Sequence, residues 1–129
     1  MRLQPEHVAL FHERFADFYD GVVRKVELEV GVPSRACKIE VQCKDRDSRS
    51  GWSRVTFSVR GMKEFRFELG RTTFEVLSGG VQIDWQEDRV YVVLDAYPDD
   101  GPGLPDLAKN TAYVVGEDCE WSCVEELDG

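Results

Sequence analysis

Long apolar runs are missing from this 129-residue chain. No stretch of about 18 consecutive apolar residues exists, so no membrane-spanning helix is expected. The opening "MRLQPEHVALFHERF" has no apolar signal core, because Glu6, His7, His12, Glu13 and Arg14 interrupt it. The expectation is a cytoplasmic protein, where thiols stay reduced. Histidine is scarce, with two in all, and both fall in the first twelve residues. No Gly-x-Ser-x-Gly and no phosphate-binding glycine loop occurs. A hydrolytic or phosphoryl-transfer centre is therefore not expected, and no catalytic residue is assigned. Positive charge is missing from the C-terminal half. Residues 72–129 hold two Lys or Arg against fourteen Asp or Glu, while residues 35–71 hold ten against five. A net charge of −9 disfavours general nucleic-acid binding, which needs a basic face to release counterions. It suits a soluble protein that meets a basic partner.

What is present is a core-forming composition, 42% apolar, in a length that fits one domain over residues 1–129. Residues 5–20 read as a helix. Pro5 suits the first turn, Val8, Phe11, Phe15, Phe18 and Val22 recur at steps of three and four, and Gly21 suits the stop. His7 and His12 lie about 140° apart on such a helix and do not converge on a metal. After Gly21 the pattern alternates. Val26, Leu28 and Val30 face one way in "VRKVELEV", and Cys37, Ile39, Val41 and Cys43 do so in "CKIEVQCK". Val55, Phe57 and Val59 follow a polar hairpin loop, and then Phe65, Phe67 and Leu69. "VQIDWQ" and "RVYVVLD" form a hairpin around Glu87 and Asp88, and "TAYVVGEDCEWSCVEEL" supplies the last one or two strands. The fold class is α+β: an N-terminal helix packed on a curved, mainly antiparallel sheet of about eight strands.

Four cysteines could signal a metal site or a disulfide framework. Strand geometry argues otherwise. Six strand residues place Cys37 and Cys43 about 20 Å apart, and Cys119 and Cys123 lie about 13 Å apart. Neither pair can form a disulfide or share one zinc. One cross-strand pair stays open, but the thiols read best as small core residues. No metal or other cofactor is expected. "DAYPDDGPGLPD" has the wrong spacing for a calcium loop.

Two segments suggest a partner surface. The first is acidic: Asp95, Asp99, Asp100 and Asp106, with Glu117 and Asp118 further on. Its length and prolines mark a functional or mobile loop. The second is the hairpin "CKDRDSRSGWSR", where Arg46, Arg49 and Arg54 surround Trp52, the residue types that dominate binding hot spots. Alternation puts Trp52 opposite the core-facing Val55, Phe57 and Val59.

"FYDGVVRKVELEV" followed by "VTFSVRGMKEFRFEL" resembles small bacterial α+β domains, some of them immunity proteins of polymorphic toxin systems. The resemblance spans residues 17–69 and rests on Phe18, Asp20, Gly21, Val26, Phe57, Gly61, Met62 and Phe65. It implies a non-enzymatic inhibitor that seals a basic toxin, docking through its acidic half. A structural or homo-oligomeric module is the alternative, pairing a sheet edge or burying Trp52 in a two-fold interface. The third reading is a small-ligand binder or enzyme with a pocket near His12.

Overall fold

The computed structural model describes residues 2–31, 34–67, 75–77, 80–94 and 112–125. Among these residues it shows one short α-helix, α1 (Val8–Arg14), and nine strands. The strands are β1 (Gly21–Glu29), β2 (Ala36–Lys44), β3 (Trp52–Arg60), β4 (Glu64–Phe67), β5 (Glu75–Leu77), β6 (Val81–Gln86), β7 (Arg89–Leu94), β8 (Ala112–Gly116) and β9 (Asp118–Glu125). They do not form one sheet of eight. A five-stranded antiparallel sheet has the order β5-β1-β2-β3-β9, and a four-stranded one has the order β4-β8-β7-β6. The α+β class holds, and the single sheet is replaced by two. No described helix is long and apolar enough to cross a membrane.

The two sheets share one core. Cys37, Ile39, Val41, Cys43, Val55, Phe57, Val59 and Cys119 supply it from the first sheet. Val81, Ile83, Val90, Val92, Leu94 and Val114 supply it from the second, with Phe11, Phe15 and Phe18 from the N-terminal segment. The strict alternation of β2 and β3 does what the sequence predicts: every second residue is buried. The β6–β7 hairpin also has the expected register, with Val81 opposite Leu94, Ile83 opposite Val92 and Trp85 opposite Val90.

What joins the sheets is a folded ribbon. β3 pairs with β9 in the first sheet, and their continuations, β4 and β8, pair in the second. The corner lies at Gly61 and Gly116. The Glu117 N–H donates to Arg60 O at 2.8 Å and the Lys63 N–H to Val115 O at 2.7 Å, so pairing continues around the bend. A Cβ on Gly116 would lie 2.5 Å from Val59 Cγ1 and 2.7 Å from Arg60 O. Only glycine lets the two backbones approach that closely.

The helix is shorter than the expected span of 5–20. A 3-10 turn (Pro5–His7) leads into α1, which stops at Arg14. Ala16, Asp17 and Phe18 then take positive φ values of 52°, 55° and 63°. Each such non-glycine residue costs about 1–2 kcal/mol. This left-handed turn reverses the chain, so that Phe18 enters the core and Gly21 begins β1 instead of capping a helix. Burying Phe18 completely offsets part of the strain, at about 1.5–3 kcal/mol. Gly80 sits directly against the turn, and a Cβ there would meet Asp17 O at 2.1 Å.

Candidate functional site

The hairpin between β2 and β3 is pinned at two points. Asp45, 2% exposed, is held by a bidentate pair from Arg14: Nε to Oδ1 at 2.9 Å and a terminal nitrogen to Oδ2 at 3.2 Å. The Ser53 hydroxyl and the Asp47 N–H also donate to it. Burial pushes the Asp45 carboxyl up, and these hydrogen bonds more than reverse that, so it ends below its ordinary value. Arg14 sits over the rings of Phe15 and Trp121, 4.8 Å and 5.7 Å from their centroids. Further along the loop, Glu125 accepts from the Ser48 hydroxyl and from the N–H groups of Arg49 and Ser50.

The four sequence-predicted hairpin residues separate into two places. Arg46 and Arg49 stand on the loop. Arg46 pairs with Glu13 at 2.8 Å, tying the loop to α1. Trp52 and Arg54 stand on the outer face of β3, away from the core, as alternation requires. Arg54 pairs with Glu40 of β2 at 2.9 Å. Trp52 is half-buried rather than fully exposed. Beside it lies a shallow hollow of about 400 Å³ lined by Glu40, Arg54, Thr56 and Val124. Val124, directly across from Arg54, is 72% exposed.

β9 is the edge of its sheet. Arg2 bridges to Glu120 and the Leu3 N–H donates to Cys119 O, covering the start of that edge. From Ser122 to Glu125 the edge has no backbone partner among the described residues. Sequence reasoning missed Val124. The signal was there, since Val124 falls out of step with the inward set of Cys119, Trp121 and Cys123.

The acidic candidates fare differently. Asp95, Asp99, Asp100 and Asp106 lie outside the described residues. Glu117 and Asp118 sit at the ribbon's corner, about 20 Å along β9 from Val124. Glu117 pairs with Lys63 at 3.0 Å. The structure therefore does not bring these two to the hairpin.

All four cysteines are free. Desolvation pushes the thiols of Cys37, Cys43 and Cys119 up to about 11, about 12 and about 12. Cys37 and Cys119 face the same Val59, one from each side, so a whole strand separates them. Cys123 is half-buried, 3.4 Å from an Arg14 nitrogen. Among the described residues no three His, Cys, Asp or Glu side chains group as metal ligands. His12 packs edge-on against Phe11 and Phe18, with Nδ1 3.3 Å from Asp17. Burial holds its pKa below the usual value, against the pull of Asp17 and Asp84.

No protein-family model, curated protein or solved structure matches the chain. The functional reading therefore rests on geometry.

Proposed function

We propose that this chain acts by binding another protein, on the outer face of the five-stranded sheet at its β9 end. The observation behind this is the exposed Val124 beside the hollow, next to Trp52 and Arg54. Trp and Arg are residue types enriched at hot spots; Arg54 lines the hollow, and Trp52 stands two residues along the same face of β3. That face also carries ion pairs, Lys25 with Glu27, Arg60 with Glu120 and, in the hollow itself, Arg54 with Glu40. The specific form of this reading is a cytoplasmic, immunity-type inhibitor. Its acidic residues Asp95, Asp99, Asp100 and Asp106 would then steer a basic toxin, without enzymatic activity of its own.

The edge from Ser122 to Glu125, without a backbone partner among the described residues, supports a second reading, a homodimer that pairs β9 with β9 across a two-fold axis. One experiment separates the two. A photo-crosslinking residue replaces Val124, and the protein is irradiated in its own cells. A covalent adduct with a different protein is the expected result. An adduct with a second copy would favour the homodimer. No adduct, with the same residue at Lys38 also silent, would contradict both.

A further inference from the structure

We infer that the loop Asp45–Gly51 is an oxyanion receptor, filled in the free protein by the chain's own Glu125. Three donors converge on one carboxylate oxygen. The Ser48 hydroxyl lies 3.0 Å from Glu125 Oε1, the Ser50 N–H donates to it across 3.2 Å, and the Arg49 N–H donates to it as well. Successive backbone N–H groups turned to one point form an anion-binding nest. The Ser48 hydroxyl has a second acceptor in reach, Trp52 O at 2.9 Å, which the Ser50 hydroxyl can serve in its place. The Ser50 hydroxyl is 3.1 Å from Trp52 O and accepts from the Trp52 N–H at 3.2 Å.

The donors are held in place without Glu125. The Asp45 N–H donates to Gly51 O at 2.9 Å, the Gly51 N–H to Ser48 O at 3.2 Å, and the Arg46 N–H to Arg14 O at 3.0 Å. Asp45 itself is fixed by Arg14 and Ser53. The loop is thus preorganised by contacts that do not involve Glu125. Its present occupant sits at the exposed end of an edge strand and is itself exposed. The Arg49 guanidinium is exposed and pairs with no carboxylate among the described residues, although its charge acts on Glu125. A free phosphate or carboxylate group would find two N–H donors, a hydroxyl and a guanidinium. Glu125 competes as a tethered ligand, at an effective concentration of order millimolar.

This inference does not depend on a protein partner. The test is a phosphate titration of the full ¹⁵N-labelled chain followed by NMR, with sodium chloride holding ionic strength constant. In Glu125→Ala, the Arg49 and Ser50 amides should shift saturably, with a midpoint several-fold below that of wild type. Adding Arg49→Ala should raise the midpoint again. Glu125→Val, which also removes the acceptor oxygen, gives the same test should the alanine variant lose its dispersed spectrum. Acetate in place of phosphate tells a carboxylate receptor, which accepts both anions, from one that takes phosphate alone. Amides that do not move saturably with either anion, or that move equally in wild type and variant, would overturn the inference.

Discussion

Asp45 is a carboxylate in a nearly dry site, and what keeps it there is Arg14. Removing the guanidinium leaves the charge with only Ser53 and the Asp47 N–H as donors. Arg14→Ala should therefore lower unfolding stability by about 2–3 kcal/mol at pH 7, read from urea denaturation. The pH dependence has a definite sign. Asp45 has a depressed folded-state pKa, so its contribution is present above the unfolded value and is lost as pH falls below about 4. The thiols act at the other end. Cys37, Cys43 and Cys119 stay protonated in the native protein to about 11, about 12 and about 12. The unfolded chain loses those protons near 8.5. Stability should fall as pH rises from about 8.5 toward 11, and a triple Cys→Ser variant should lose that alkaline slope. Cys123 differs, being half-buried and touched by Arg14. Iodoacetamide at pH 8 should alkylate it well before the other three, checked by peptide mass spectrometry. The plain role of the cysteines was legible from two spacings, six and four. The Arg14 contact was not, because it joins residues 109 positions apart.

At the scale of elements, two features escaped the pattern for different reasons. The stripe Phe11, Phe15, Phe18 is helical in spacing, and all three rings are buried. Yet a left-handed turn delivers the last of them, and no glycine or proline marks it. Local propensity lost to the tertiary demand that the chain reverse before β1. The consequence can be measured. In a right-handed helix Ala16→Gly would cost about 1 kcal/mol. In this turn the same change removes left-handed strain, so it should leave stability unchanged or raise it by up to about 1 kcal/mol. The second feature is the corner. Alternation reports which way a side chain faces, not which sheet it serves, so β3–β4 and β8–β9 read as members of one sheet. Gly116 looked ordinary in "AYVVGEDC". Gly116→Ala pushes a methyl into Val59 and the Arg60 carbonyl and should cost about 1–3 kcal/mol in thermal or urea unfolding. A neutral result would mean the ribbon does not fold so tightly there.

At the scale of the molecule, both sheets and the N-terminal segment share one core. Heat and urea should therefore unfold the chain in one transition, with near- and far-ultraviolet circular dichroism coincident. The surface is less uniform than the core. Part of the basic middle of the sequence is spent on ion pairs within the chain, such as Arg46 with Glu13, Arg54 with Glu40 and Lys63 with Glu117. The hairpin's prominence in the sequence was thus partly structural: Arg46 fastens the loop, and Trp52 and Arg54 alone reach the outer face. Val124 completes that patch from the far end of the chain, which no local reading of the hairpin could supply.

The most direct test of the account is affinity capture from the protein's own cells. Tagged wild type and Val124→Asp are compared, after thermal unfolding shows that both are equally stable. A different protein should be enriched by wild type and lost with Val124→Asp. A partner retained equally by both, or none captured by either, would contradict binding through the outer face of the five-stranded sheet.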